Sequence, residues 1–139
     1  MSIVKIQSLM QSRYTSVSSG VVHAFTNMHL KPVAGTPFER VDFLHAPTLN
    51  PTYGEGLKRE VIIMQVMLHY PPGAGAGAAL ARAEAIRAAF ARGWTAIDAG
   101  PPQLRILIDR SPWLTEQPAI EGWFRVAVSI ELLADVYGS

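Results

Sequence analysis

The residues Tyr70 to Gly93, YPPGAGAGAALARAEAIRAAFARG, hold three glycines at alternate positions between an apolar run and an alanine-rich segment. Glycines at the start of a helix could cradle a phosphate, but a GxxxxGK[ST] loop also needs a lysine and a hydroxyl. Here Gly73 is followed only by alanine and glycine as far as Ala79. The GxGxxG dinucleotide pattern fails as well, because position 78 is alanine. The stretch predicts a strand-to-helix connection, and a small ligand-binding domain or enzyme that uses the turn at residues 73–77 stays as an alternative.

Other residue types that could do chemistry are scattered along the chain. The histidines have no HxxxH or HExxH spacing, the serines do not form GxSxG, and no two acids can be paired from sequence alone. The residues concerned are His23, His29, His45, His69, Ser16, Ser18, Ser19, Asp98, Asp109, Glu116 and Glu121. The sequence therefore predicts no catalytic, cofactor-binding or metal-binding residue, and no enzyme.

Aromatic and charged residues in two polar segments predict an assembly interface instead. Tyr53 stands near Lys58 and Arg59, and DRSPWLTEQP at 109–118 holds Trp113 and Glu116 in what reads as a proline-bounded loop. Tryptophan and tyrosine at loop tips are typical anchors of protein interfaces. The other interpretation is that Trp113 folds back over its own sheet. Both interpretations stay open at the level of sequence.

Composition limits the function classes further. The chain has 139 residues and is 49% hydrophobic, which is enough apolar material for one domain covering residues 1–139. Its net charge is only +1. Such a balance gives no global drive to bind nucleic acid or an anionic membrane. There is no cysteine, hence no disulfide or thiolate site. No signal peptide or membrane-spanning run is evident, so a soluble product is expected.

Periodicity predicts the elements that position these residues. Helices are expected at 2–15 and from Ala79 to a stop at Gly93, the second with Ala79, Ala83, Ile86 and Phe90 buried. Strands are expected at 21–25, 38–45, 60–70, 94–99, 104–109 and 123–136. The order predicts an α+β fold, a single domain with a mostly antiparallel sheet and two main helices packed on one face.

Three passages, taken in order, resemble the tail terminator proteins of long-tailed bacteriophages. They are AGTPFERVDFLHAPTLNPTYG, QVMLHYPPGAGAGAALARAEAIRAAF and the closing GWFRVAVSIELLADV, so that the resemblance covers roughly residues 22 to 136. It rests on the succession of elements, since no single motif is decisive. The N-terminal helix and the segment HAFTNMHLKP match less well.

The resemblance implies a structural protein of the virion that assembles in the host cytoplasm. Members form a ring, usually a hexamer, at the head-proximal end of the tail tube, where they stop tube polymerisation and offer a surface for head joining. Expected partners are further copies of the chain, the major tail tube protein and a head-completion or connector protein, with DNA only passing through the lumen. No cofactor or membrane is implied. Another head–tail joining (neck) protein is the nearest alternative.

Overall fold

The computed structural model describes residues 2–17, 22–25, 28, 30–31, 35–49, 57–73, 76–100, 103–120 and 122–137. Within these residues, two helices and seven strands follow one another. They are α1 (Ser2–Ser16), β1 (Val22–Phe25), β2 (Phe38–His45), β3 (Leu57–Tyr70), α2 (Gly77–Ala89), β4 (Thr95–Asp98), β5 (Gln103–Leu107), β6 (Trp113–Ile120) and β7 (Trp123–Tyr137). Neither described helix is long and apolar enough to cross a membrane.

All seven strands belong to one sheet, which is mostly antiparallel as predicted. The order is β1-β2-β3-β7-β5-β4, and β6 also pairs with β7. Within the described residues only β1 and β2 run parallel to each other. The long β3 and β7 form the centre of the sheet, paired from Leu57 with Tyr137 to Tyr70 with Phe124.

One edge of β7 is shared between β5 and β6. The pairing of β5 ends at Leu107 with Leu133, and that of β6 begins at Trp113 with Ser129. Residues 108–112 therefore stand opposite residues 130–132 only, and the outer chain has two residues more than β7 at this point. We call residues 108–112 the jog. The extra length must leave the plane of the strand pair, as in a bulge.

The interpretation of residues 109–118 as a loop was wrong from Trp113 onward. Residues Trp113–Ile120 form β6, although this segment contains Pro118 and several polar side chains. An edge strand tolerates a proline because one side of its backbone has no partner to bond. The register also shifts between Gln117 and Ile120, so Pro118 sits where the ladder is already irregular.

Alternating side chains build the core, as the sequence predicted for β7. Even-numbered residues of β3 and β7 point to what we call the core face, among them Met64 and its cross-strand partner Ile130, both fully buried. The buried cluster also includes the predicted face of α2 and one face of α1. Its helical members are Ile6, Met10, Tyr14, Ala79, Ala83, Ile86 and Ala89, with Phe90 just beyond α2.

The glycine-rich connection enters α2 without a polar cap. Gly73 has a φ of 82°, a left-handed conformation that favours glycine, and the helix begins at Gly77 after Ala76, which makes no side-chain cap bond. Residues 74 and 75 lie outside the described part of the chain. At the other end Gly93, with a φ of 94°, turns the chain toward β4, as expected of the predicted stop.

Candidate assembly surface

The candidate interface residues of β3 lie at one end of the central strand pair. Tyr53 falls outside the described residues. Lys58 stands opposite Val136, and Arg59 stands opposite Asp135. Directly opposed residues of an antiparallel pair share a face. Lys58 therefore projects to the core face, whereas Arg59 projects to the other side, which we call the second face and define by the odd-numbered residues of β3 and β7.

The candidate residues of β6 lie farther along β7. Trp113 stands opposite Ser129 on the second face, and Glu116 stands opposite Val126 on the core face. Six residues of β7, about 20 Å at the rise of a strand, separate Ser129 from Asp135. Arg59 and Trp113 therefore share the second face, Arg59 near one end of β7 and Trp113 near its middle, and the structure does not gather the predicted residues that it describes into one cluster.

Arg59 forms a forked ion pair with the strand beside it. Its Nε donates to Oδ1 of Asp135 at 2.7 Å, and its Nη2 donates to Oδ2 at 3.1 Å. These hydrogen bonds and the charge of Asp135 raise the pKa of Arg59. The ion pair fixes the guanidinium group of Arg59 against the sheet, while part of the side chain stays in solvent. This end of the second face therefore carries two opposite charges that nearly cancel.

Trp113 lies on the sheet rather than at the tip of a loop. It is half-buried at the start of β6, and the guanidinium of Arg110 lies 5.8 Å from its ring centroid. A cation over an indole ring is attracted by the electron-rich face. Trp113 thus packs against its own chain and still exposes part of its surface.

An aromatic group that the sequence did not reveal occupies the end of the second face that lies farthest from Arg59. Phe38 stacks on His69 with centroids 4.2 Å apart, and Trp123 meets Phe38 edge-on at 5.0 Å. The three residues come from β2, β3 and β7, whose pairing places Phe38 opposite His69. Only the register could have shown this, because the residues are far apart in the chain and carry no motif.

His69 is an unusual member of this group. It is 9% exposed, and among the described residues its Nδ1 has no hydrogen-bond partner. Burial lowers the pKa of His69, and the positive charges of Arg125 and Arg40 lower it further. A neutral imidazole buried beside two guanidinium groups makes this end of the second face sensitive to protonation.

A second polar group missed by sequence reasoning lies inside the core. Glu39 is fully buried and accepts hydrogen bonds from the Tyr14 hydroxyl and from Arg82, whose Nε lies 2.7 Å from Oε2 and whose Nη2 lies 3.1 Å from Oε1. Arg82 also donates from Nη1 to the carbonyl of Val17 at 2.8 Å. Burial and the nearby Glu39 raise the pKa of Tyr14. Burial alone would lower the pKa of Arg82, but its bonds with Glu39 outweigh that and raise it.

This buried group joins three elements and has a structural role. Tyr14 belongs to α1, Glu39 to β2 and Arg82 to α2. Each charge is compensated where it is buried, which is the condition under which such groups are tolerated in a core. Arg82 lies off the line of Ala79, Ala83, Ile86 and Phe90 that the sequence predicts to be buried, yet it is buried as well because Glu39 gives it a partner inside.

The remaining candidate chemistry finds no site within the residues the structure describes. No three histidine, aspartate or glutamate side chains there come together as metal ligands would. The groove beside the glycine-rich turn, about 450 Å³, is lined by Pro71, Gly73, Ala76 and Phe124. None of these four side chains offers a charge or a hydroxyl to a phosphate.

Comparison with known proteins agrees with the resemblance seen in the sequence. The family model of the phage tail terminator protein matches residues 5–132. One solved structure superposes with a TM-score of 0.63 over 96% of both chains at 17% sequence identity, which shows a shared fold. No curated protein sequence matches the chain.

Proposed function

Because this chain belongs to the phage tail terminator family, a family of structural tail proteins, we propose that it ends the growth of the tail tube. In this proposal six copies of the chain form a ring on the head-proximal end of the tube. The ring stops the addition of tube subunits and offers the surface for head joining, while DNA passes through its lumen. The observation that carries the proposal is the family match over residues 5–132, which spans both helices and most of β7.

The division of the sheet into two faces supports this role. Tyr14 of α1 and Arg82 of α2 both bond Glu39, whose strand partner Leu68 is a core-face residue. The Nε2 atom of Gln7 in α1 also lies 3.4 Å from Nε2 of His45, whose strand partner Ile62 is a core-face residue. We infer that both helices cover the core face. In the proposal the second face, which neither described helix covers, is available to other molecules.

The second face has the composition of a surface that partners could cover. Across β3 and β7 it carries half-buried apolar side chains beside polar ones, and Trp113 and Trp123 lie at its border. Interface cores are enriched in tryptophan and arginine. A ring subunit needs two different surfaces for its two neighbours and further surfaces for tube and head proteins. In the proposal the second face serves one of these contacts, and the partners are further copies, the major tail tube protein and the head-completion protein.

The direct test removes the gene from the phage and measures the tails by electron microscopy. Tails of uncontrolled length that fail to join heads are expected, and supplying the protein in trans should restore one length. Tails of normal length that join heads in the deletion mutant would refute the proposal.

A second experiment tests the second face in the purified protein. Trp113→Ala should weaken assembly on tail tubes or into rings, measured by light scattering and negative-stain microscopy, with unchanged circular dichroism. Ile97→Ala is the matched control, since Ile97 is 67% exposed on the short strand β4 at the far edge of the sheet. Collapse of the monomer fold in Trp113→Ala would instead mean that Trp113 only covers its own sheet. Equal loss in both variants would argue against this face.

A further inference from the structure

The jog at residues 108–112 holds two arginines of the α2 end in fixed positions. Arg87 donates from Nε to the carbonyl of Pro112 at 2.9 Å. Arg92, in the turn after α2, donates from Nε to the carbonyl of Asp109 at 3.1 Å. The two extra residues of the jog bring these carbonyls out of the strand ladder, where they are free to accept. Both guanidinium planes are therefore anchored at one corner.

The remaining donors of these arginines are not consumed by the described chain. Arg87 uses Nη1 to bond Glu84 at 2.9 Å, which leaves its Nη2. Among the described residues no acceptor bonds either Nη of Arg92, and none bonds the exposed hydroxyl of Ser111. These groups line one cleft of about 230 Å³ between the end of α2 and the jog. We call it the arginine cleft and define it by Arg87, Arg92 and Ser111.

The lining of the arginine cleft carries more positive than negative charge. Besides Arg87 and Arg92 it includes the carboxylate of Glu84, which bonds Arg87. Arg110 in the jog lies 3.6 Å from a carboxylate oxygen of Glu131, so this pair adds no net charge. The carboxyl end of α2 opposes an anion with about half an elementary charge. The guanidinium groups of Arg87 and Arg92 still outweigh Glu84 and the helix end, and the remaining positive charge favours an anionic ligand.

We propose that the arginine cleft binds a phosphate group. Donors reach the cleft from two directions, from the α2 end and from the jog, and a tetrahedral phosphate has oxygens to meet both. A carboxylate has only two oxygens in one plane. The two Nη groups of Arg92 can also meet a phosphate in a two-pronged geometry that lysine cannot provide, while Nη2 of Arg87 adds a single donor. The phosphate belongs either to the free inorganic ion or to the backbone of a nucleic acid. This site is independent of the role in tail assembly, because it rests on the local geometry alone.

The test titrates the full-length protein with inorganic phosphate at low ionic strength and follows backbone and arginine Nε–H signals by nuclear magnetic resonance. A short DNA duplex forms the second arm, and acetate forms the third. Signals of Arg87, Arg92 and residues 109–111 should shift together in a saturable way with phosphate. If the duplex shifts the same signals, the site takes backbone phosphates; if it does not, the ligand is the free ion.

Two variants that change the cleft differently guard against a mere loss of folding. Arg87→Gln with Arg92→Gln should weaken phosphate binding by at least about tenfold, as expected for lost charged hydrogen bonds. Ser111→Glu keeps both arginines and places a carboxylate in the cleft, so it should abolish binding without lowering the melting temperature. Arg105→Gln, an exposed arginine on β5, is the matched control and should bind as the parent does.

Three results would overturn the proposal. Phosphate could bind equally well after Ser111→Glu, or Arg105→Gln could lose as much affinity as the double variant, which would mean general surface charge. Acetate could bind as tightly as phosphate, which would make the cleft a carboxylate site. None of these results would touch the tail-length test, so the two proposals fail separately.

Discussion

Replacing Arg82 by methionine should destabilise this fold by about 3–5 kcal/mol, the usual effect of leaving a buried charge without its partner. Glu39 would keep its place in the core, where it is fully buried, with only the Tyr14 hydroxyl to bond it. The carbonyl of Val17 would lose a donor as well. Since whole domains are stable by about 5–15 kcal/mol, one substitution would remove a large share of the total.

The assay is chemical denaturation followed by circular dichroism, with thermal melting as a second measurement. For a chain of this size the loss corresponds to a fall in melting temperature of roughly 10–20 °C. The control replaces the whole group, Tyr14→Phe with Glu39→Leu and Arg82→Met, so that no polar side-chain atom is stranded, while the carbonyl of Val17 loses its donor in both variants. This triple variant should be more stable than Arg82→Met alone, because burying apolar groups in place of a complete ion pair is often neutral or favourable.

The result that would refute this reasoning is a loss below about 1 kcal/mol in Arg82→Met, the size typical of an exposed ion pair. A triple variant less stable than the single one would also contradict it. In that case the polar group would contribute stability that its apolar replacement cannot match.

Three further predictions concern other parts of the fold. The pKa of His69 is lowered from 6.5, so the unfolded chain binds the proton at a higher pH than the folded chain does. The free energy of unfolding should therefore fall as the pH drops from about 6.5 toward the folded pKa. His69→Phe should remove this part of the pH dependence, measured by denaturation at several pH values. Ala83→Leu, at a fully buried position of α2, should cost about 1–3 kcal/mol by overpacking, measured by denaturation. The Arg59 and Asp135 pair, with the Arg59 side chain 38% exposed, should contribute less than about 1 kcal/mol in a double-mutant cycle with alanine and less still in high salt.

The sequence predicted the elements whose pattern is periodic. The alternation in β2 and β7 and the buried line of Ala79, Ala83, Ile86 and Phe90 are confirmed by burial. Periodicity works for these elements because each buries one regular stripe against the same core. The strand at Trp113–Ile120 escaped it, since an edge strand with Pro118 and several exposed side chains leaves no alternating pattern to read.

The candidate site could be predicted only in part, for reasons of register and pairing. Lys58 and Arg59 are neighbours in the sequence, yet the strand places them on opposite faces of the sheet. Trp113 and Glu116 lie three residues apart on β6 and also point to opposite faces. The stacking of Phe38 on His69 and the bond of Arg82 to Glu39 depend on which residues meet across the sheet. A single sequence does not contain that information.

The position of β7 determines when this domain can complete its fold. Among the described strands it is the last to be synthesised, and it is also the central one, with β3 on one side and β5 and β6 on the other. Until it emerges, β3 lacks its longest partner, and β5 and β6 lack the strand against which both pair. Contacts between residues so distant in the chain form slowly. The core can therefore close only after β7 has been synthesised, and a chain cut short before Trp123 would lack both a finished core and the β7 half of the second face.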